Sequence, residues 1–222
     1  MNKQHLLHIG YPKTGTTWLW DSLKQNSYLQ SFEKEDYKLA TGESVTDYIN
    51  RYRQLGDYTL NFCPLNAFID RYLISQLSHC ENIYASIIIR NPYEILYSLY
   101  NFLGEFCHQH YNNYVTKMLT QGPWFINYTS VIQRWSERFD KSRFNVFLYD
   151  NLLNNQDTFF AEYMSWAKLT DYKMPLMSRT NVTKYQLNTN INLKQDNIDK
   201  IEKIISQIEI YMDINLLHWR MK

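Results

Sequence analysis

The fold is decided by the stretch His8-Ile-Gly-Tyr-Pro-Lys-Thr-Gly-Thr-Thr-Trp-Leu-Trp20. A short apolar run, residues 5–9, leads into it and predicts a buried strand, while residues 17–24 predict the first turns of a helix. A strand, a glycine-bounded loop and a helix N-terminus together bind anions, because the loop N–H groups and the positive end of the helix dipole point at the same place. The stretch therefore predicts an α/β fold with an anion site after its first strand.

The two glycines of this loop have the spacing of a phosphate loop, but the lysine is displaced. Gly10 and Gly15 stand five positions apart, as in GxxxxGK[ST], whereas Lys13 lies inside the loop and a threonine occupies the usual lysine position. A lysine at this place meets charge that develops on a leaving oxygen, and neighbouring threonines add hydroxyl and N–H donors. These threonines are Thr14, Thr16 and Thr17.

The composition is that of an ordinary globular protein. The 222 residues suit a single domain over 1–222, with 45% hydrophobic and 20% charged residues. A net charge of +1 gives no reason to expect bulk binding to nucleic acid or to a membrane. The three cysteines form no CxxC and no metal-ligand spacing, so we expect a reducing compartment and no metal. The sequence shows no signal-peptide pattern and no apolar run near the ~20 residues of a membrane helix, which predicts a cytoplasmic location.

Strand and helix patterns alternate along the rest of the chain. Strands are predicted at 58–62, 82–89 and 144–149, with a short one within 28–38. Helices are predicted at 41–53, from 63 through 77, and at 93–102, 124–139, 155–168 and 195–211. Residues 104–122 and 171–192 carry little pattern, and the first of these inserts is typical of a lid or a binding segment. This order predicts a parallel sheet with helices on both faces.

A second motif, Arg90-Asn-Pro-Tyr-Glu-Ile-Leu-Tyr-Ser98, follows the clearest strand. Arg90 is placed at the carboxyl end of a central strand, where open α/β sheets bind ligands. Ser98 follows about two helical turns later. A capping arginine and a buried serine are the simpler alternative. Two anion sites at adjacent strand ends predict a ligand with phosphates at both ends of a nucleoside.

Three landmarks together resemble the sulfotransferase family. Residues 11–18 are similar to that family's 5'-phosphosulfate loop, the motif from Arg90 to Ser98 is similar to its 3'-phosphate motif, and residues 144–153 are similar to a later strand and turn. The resemblance implies a three-layer, P-loop-like domain with a central parallel sheet. It also implies 3'-phosphoadenosine-5'-phosphosulfate (PAPS) as the sulfuryl donor, with adenosine 3',5'-bisphosphate (PAP) as the product.

The same resemblance implies which residues hold the donor. Lys13 contacts the bridging oxygen and the 5'-phosphate, and Trp18 lies against the adenine. The family often closes the 3'-phosphate site from a late polar loop, which is here residues 179–184 unless that segment is a plain surface loop. The complete expected donor-binding set is Pro12, Lys13, Thr14, Gly15, Thr16, Thr17, Trp18, Arg90, Ser98, Arg179 and Lys184.

The catalytic base is expected in residues 34–37, Lys-Glu-Asp-Tyr. An attacking hydroxyl must lose its proton, so a carboxylate or a histidine must lie within hydrogen-bond reach. The segment resembles the Lys-Glu segment of the family's carbohydrate-type branch, whose glutamate is the base, which makes Glu35 the expected base. Asp36 and Glu33 are alternatives, the latter because a two-residue offset in a strand points both side chains the same way. The small-molecule branch uses a histidine, but His79 is more simply a surface or capping residue.

The acceptor stays open between carbohydrate and small-molecule hydroxyls. Residues 61–66 resemble the family's acceptor segment, but Asn61, Phe62 and Cys63 replace its acid, lysine and hydroxyl residue. Two other functions compete with sulfuryl transfer. A P-loop-like nucleotide kinase predicts ATP binding with Mg²⁺, although a kinase places its lysine after the second glycine. A non-catalytic PAP-binding module predicts PAP binding without turnover.

Overall fold

The computed structural model describes residues 4–103, 110–121, 126–169 and 193–220. Over these ranges five strands form one sheet in the order β2-β3-β1-β4-β5, and each neighbouring pair is parallel. The strands are β1 (Gln4–His8), β2 (Leu29–Gln30), β3 (Tyr58–Phe62), β4 (Ile83–Ile89) and β5 (Phe144–Leu148). The predicted α/β fold with a parallel sheet flanked by helices is confirmed.

The helices of the described ranges alternate with these strands. They are α1 (Thr16–Lys24), α2 (Val45–Leu55), α3 (Arg71–Ser78), α4 (Pro92–Leu103), α5 (Tyr111–Gln121), α6 (Tyr128–Ser136), α7 (Tyr149–Asn154), α8 (Gln156–Trp166) and α9 (Gln195–Met212). Short 3₁₀ turns lie at Leu39–Thr41, Pro64–Phe68 and Leu217–Trp219.

The central strand β1 is the point at which the strand order reverses. Its Leu6 pairs with Leu60 of β3 on one side and with Tyr84 of β4 on the other. All seven residues of β4 are buried, as expected for a parallel strand covered on both faces. Open α/β sheets bind ligands beyond the carboxyl ends of strands at such a reversal. The loop that follows His8 occupies this position.

The described residues fall into two compact units. The first consists of residues 4–89 and 131–169 and contains the whole sheet; its apolar core includes Leu6, Leu60 and Phe159. The second consists of residues 90–103, 110–121, 126–130 and 193–220, in which α4, α5 and α9 pack against one another. One domain over 1–222 stays a prediction.

Two predicted segments differ in the structure. The helix expected from 63 through 77 is divided into the 3₁₀ turn Pro64–Phe68 and α3, because the Asp70 carboxylate accepts a 2.8 Å hydrogen bond from Leu73 N and starts a new helix. The expectation of an irregular insert over 104–122 is wrong for α5, which forms because Tyr114 and Val115 bury an apolar face. Residues 104–109 and 171–192 lie outside the described ranges.

Two features are absent from the part of the chain that the structure describes. No helix there is long and apolar enough to cross a membrane. No group of three or more histidine, cysteine, aspartate or glutamate residues there is arranged to hold a metal ion.

Candidate active site

The loop between β1 and α1 has a backbone conformation suited to anions. Lys13 has a φ of 66° and Gly15 a φ of 82°, both in the left-handed region. Alternation of this kind turns successive N–H groups toward a common point. Thr14, which is fully buried, braces the loop from within, because its hydroxyl donates a 2.7 Å hydrogen bond to Tyr11 O. The loop is therefore a preformed cradle next to the N-terminus of α1.

Close neighbours leave no room for a side chain at either glycine of the loop. A Cβ at position 10 would come 2.2 Å from His8 Nε2, and a Cβ at position 15 would come 2.9 Å from the ring of Tyr149 and from Leu152 Cδ2. Tyr149 and Leu152 belong to α7, so this helix forms a wall of the loop. Sequence reasoning used residues 144–153 only as a landmark and assigned no part of the site to Tyr149.

His8 packs against Gly10 of the loop as a neutral imidazole. Its Nδ1 lies 2.9 Å from Ser86 Oγ, which in turn lies 3.0 Å from Tyr163 Oη, and its ring stacks on Phe62. Burial, with a smaller contribution from the charge of Lys34, lowers the pKa of His8 to about 3. Its Nε2 is buried and has no hydrogen-bond partner among the described residues. Because this imidazole is neutral at ordinary pH and packed under Gly10, it is a scaffold group.

The expected donor residues of the first unit occupy the loop and the first turn of α1. Thr14, Thr16 and Trp18 are buried, whereas Pro12, Lys13, Gly15 and Thr17 are half-buried. Trp18 is only 5% exposed and packs in the core of the first unit with Leu19 and Leu23. Its contact with an adenine stays a prediction.

The predicted base lies beside this first turn of α1. Phe62 N donates to Lys34 O at 3.1 Å, which brings residues 34–37 to the carboxyl end of β3. Lys34 Nζ donates a 2.6 Å hydrogen bond to Thr17 Oγ1 and lies 3.6 Å from Glu35 Oε1. The hydroxyl of Tyr37 donates to Glu35 Oε2. Two residues predicted separately, Thr17 and Glu35, are thus joined through Lys34.

Asp36, the neighbouring carboxylate, is a buried anchor. It is 1% exposed and accepts hydrogen bonds from Arg51, from Tyr52 Oη at 2.9 Å and from Lys38 N at 3.2 Å. Burial alone would raise the pKa of Asp36, but the hydrogen bonds from Arg51, Lys38 N and Tyr52 hold that pKa below its usual value. Arg51 also pairs with Glu43. Asp36 is buried as well as engaged by these contacts, whereas the Glu35 side chain is 38% exposed, which favours Glu35 over Asp36 as the base.

Glu33 does not lie in a strand with Glu35. The alternative of Glu33 as the base depends on an extended strand over residues 33–35, but β2 ends at Gln30 and residues 31–38 form no strand. Glu33 itself is exposed. The histidine alternative has a structural explanation, because His79 Nδ1 donates to Ser75 O at 2.6 Å beyond the last turn of α3. His79 is therefore a capping residue, as its position predicts.

Asn61 and Phe62, which depart from the family's acceptor segment, form hydrogen bonds with the backbone of residues 34–37. Asn61 Nδ2 donates to Asp36 O at 3.3 Å and to Tyr48 Oη at 2.9 Å. Cys63 is fully buried, and burial raises the pKa of its thiol to about 11, with Glu35 and Asp36 adding to the effect. Because this thiol stays protonated, Cys63 fills space in the core and does not act as a nucleophile.

The Arg90 motif lies in the second unit. Arg90 directly follows β4, and its Nε donates a 2.7 Å hydrogen bond to Glu94. Its backbone is held by Tyr128, whose hydroxyl donates to Arg90 O at 2.9 Å and accepts from Arg90 N at 3.3 Å. Ser98 lies on α4 and is 3% exposed. Arg179 and Lys184 lie outside the described residues.

Comparison with known proteins adds a family match. Residues 3–211 match the family model described as "Sulfotransferase domain". No curated protein sequence matches the chain.

Solved structures with a similar fold share little sequence with the chain. A sulfotransferase from Alicyclobacillus acidocaldarius is 14% identical, with a TM-score of 0.72 and all of both chains covered. The sulfotransferase domain of an olefin synthase from Synechococcus PCC 7002 is 14% identical, with a TM-score of 0.57 over 91% of this chain and 94% of that one. Mouse sulfotransferase SULT7A1, complexed with PAP, is 11% identical, with a TM-score of 0.56 over 97% of this chain and 67% of that one.

Proposed function

The chain belongs to the sulfotransferase domain family, whose members are PAPS-dependent, and on this premise we propose that it transfers a sulfuryl group in line from PAPS to an acceptor hydroxyl and releases PAP. The acceptor is a carbohydrate or a small molecule. In this reaction the acceptor oxygen forms a bond to sulfur, the bond from sulfur to the bridging phosphate oxygen breaks, and the acceptor proton passes to a base.

The loop of residues 10–17 fits the 5'-phosphosulfate end of the donor. Its left-handed residues, its two glycines without room for a Cβ and its position before α1 form a cradle for an anion. Lys13 stabilises the charge that develops on the leaving phosphate oxygen, while Thr16 and Thr17 supply N–H and hydroxyl donors. Pro12, Thr14 and Gly15 shape the loop, and Trp18 contacts the adenine.

Glu35 is the base in this proposal. The observation that carries this assignment is the pair of contacts of Lys34, 2.6 Å to Thr17 Oγ1 and 3.6 Å to Glu35 Oε1, because it places a carboxylate next to the anion cradle. A base must be within hydrogen-bond reach of the proton it accepts. Asp36, the competing acid, is engaged by Arg51 and Tyr52.

Arg90 and Ser98 are proposed to hold the 3'-phosphate, with Arg179 and Lys184 closing the site from the late loop. The guanidinium of an arginine suits this task, because its planar fork of donors matches phosphate oxygens. Glu94, which accepts from Arg90 Nε, limits the rotation of that guanidinium. We expect Arg90→Ala to weaken PAP binding more than binding of 5'-AMP, which lacks the 3'-phosphate.

A transfer assay with radiolabelled sulfur tests the function. The protein is incubated with ³⁵S-PAPS and a panel of sugars, phenols and aliphatic alcohols, and PAP formation is measured in parallel. The expected result is labelled product from at least one hydroxyl class without added metal. Transfer from γ-labelled ATP in the presence of Mg²⁺ would support the kinase alternative. Tight PAP binding with no transfer to any acceptor would support the non-catalytic module.

A further inference from the structure

One tyrosine hydroxyl satisfies both backbone polar groups of Arg90. Tyr128 Oη donates to Arg90 O at 2.9 Å and accepts from Arg90 N at 3.3 Å. Arg90 lies beyond Ile89, whose pairing with Leu148 is the last of the ladder between β4 and β5, so its N–H and C=O need partners from elsewhere. Tyr128 supplies both at the first residue of α6.

The Tyr128 side chain is fixed by its surroundings. It is fully buried, and burial raises the pKa of its hydroxyl, so that the group stays protonated and can donate. The next residue of the turn is fixed as well. Asn91 Nδ2 donates to Trp219 O at 3.0 Å, and Asn91 Oδ1 accepts from Tyr93 N at 3.0 Å, which caps α4. Both residues of the turn before Pro92 are therefore held by side-chain hydrogen bonds.

We propose that Tyr128 is a positioning residue that sets the selectivity of the enzyme for donors with a 3'-phosphate. Tyr128 acts through Arg90, because its hydroxyl fixes the position and direction of the Arg90 backbone. At the other end of the side chain, Arg90 Nε donates a 2.7 Å hydrogen bond to Glu94 Oε2. A fork of N–H donors matches a phosphate only when its direction is right, so a displaced Arg90 loses part of its contact with the 3'-phosphate. The inference rests on the proposed assignment of Arg90 to that phosphate.

The substitution Tyr128→Phe tests this inference, because it removes the hydroxyl and keeps the ring. Calorimetric titration with PAP and with 5'-AMP measures the contribution of the 3'-phosphate as the ratio of the two affinities. We expect the affinity for PAP to fall roughly tenfold, the size expected when one charge-assisted hydrogen bond between Arg90 and the 3'-phosphate is lost, while the affinity for 5'-AMP stays within about twofold. The KM for PAPS should rise with kcat at saturating donor nearly unchanged. Both affinities are measured on the same folded protein, so a modest loss of stability in Tyr128→Phe does not change their ratio.

Tyr93→Phe is the matched control. The hydroxyl of Tyr93 donates a 2.9 Å hydrogen bond to Glu202 in the same unit, and the residue is 7% exposed. It makes no side-chain contact with the backbone of Arg90 among the described hydrogen bonds. We expect its removal to leave the ratio of PAP to 5'-AMP affinity within about twofold of the original.

Arg90→Ala separates the inference from the function on which it rests. A lower ratio in Arg90→Ala and in Tyr128→Phe supports both. A lower ratio in Arg90→Ala alone overturns the positioning by Tyr128 and leaves the function standing. An unchanged ratio in Arg90→Ala contradicts the 3'-phosphate assignment itself. Equal weakening of PAP and 5'-AMP in Tyr128→Phe would mean a general structural effect and would also overturn the inference.

Discussion

Lys34 Nζ donates a 2.6 Å hydrogen bond to Thr17 Oγ1 and so ties residues 34–37 to the first turn of α1. The same ammonium lies 3.6 Å from Glu35 Oε1. One cation therefore contacts both the edge of the anion cradle and the proposed base. These two contacts keep the Glu35 carboxylate close to the first turn of α1.

Replacement of the proposed base should separate turnover from binding. We expect Glu35→Gln to reduce kcat by about 100-fold or more, because the acceptor hydroxyl keeps its proton, while the affinity for PAP stays within about twofold. Steady-state transfer assays and PAP titration measure the two effects. Glu33→Gln, on an exposed neighbour in the same segment, should change neither quantity. Full turnover in Glu35→Gln would show that another residue is the base.

Tyr37 should contribute to turnover only while Glu35 is present. Its ring is 40% exposed, and its hydroxyl donates to Glu35 Oε2, which raises the pKa of Tyr37. We expect Tyr37→Phe to lower kcat about tenfold, since the carboxylate loses one of the two side-chain contacts, with Lys34 and Tyr37, that it makes within the described ranges. In a Glu35→Gln background the same substitution should have almost no further effect. Equal effects in both backgrounds would show that Tyr37 acts independently of the carboxylate.

Two buried imidazoles make the fold sensitive to mild acid. Burial lowers the pKa values of His5 and His8 to about 3, so the folded state leaves both neutral while the unfolded state protonates them near pH 6.5. This stability is fully present above pH 6.5 and falls as the pH drops toward 3. Between pH 7 and pH 5 the free energy of unfolding should fall by roughly 2 kcal/mol for each imidazole.

Urea denaturation across that pH range measures the loss. His79→Gln, on an exposed imidazole bonded only to the backbone carbonyl of Ser75 among the described hydrogen bonds, should retain the same pH slope. A free energy of unfolding that stays level between pH 7 and pH 5 would contradict the neutral, buried state of His5 and His8.

The cradle should not tolerate a methyl group at Gly10. A Cβ there would come 2.2 Å from His8 Nε2, and the ring of His8 is confined by Phe62 and Ser86. We expect Gly10→Ala to destabilise the fold by about 1–3 kcal/mol and to weaken PAP binding, because the loop must shift. Gly56→Ala is the matched control, since its Cβ would meet only the flexible Gln30 side chain at 3.3 Å. Unchanged PAP affinity in Gly10→Ala would show that the loop does not hold the donor.

The parts of the fold that the sequence predicts are those with a strong local pattern. The apolar run of β4 and the glycine spacing around Lys13 each fix a local structure, and the buried strand and the loop before α1 lie where these patterns predict them. Glu35 was reached through family resemblance alone. What the sequence did not reveal is that Lys34 carries the connection, because a hydrogen bond between residues 17 positions apart leaves no periodic signal.

The features missed from sequence depend on single side chains or on distant partners. The Asp70 carboxylate caps α3 and so divides the expected helix in two. The apolar residues Ile69 and Leu73 keep helical spacing across this division, so the sequence pattern does not show it. Tyr128 reaches Arg90 across 38 positions, and nothing in either segment marks the pair. Tyr149 borders Gly15 only because α7 follows β5 immediately.

Donor binding is the most direct test of PAPS as the sulfuryl donor, because it does not depend on the acceptor. Thermal unfolding is followed with PAP, with PAPS, with ATP plus Mg²⁺ and with GTP plus Mg²⁺, for the original chain and for Lys13→Ala. We expect stabilisation by PAP and PAPS and not by the nucleoside triphosphates, with a smaller effect of PAPS on Lys13→Ala and at least about 100-fold lower turnover in that variant. Stabilisation by ATP with Mg²⁺ and not by PAP would show that PAPS is not the donor.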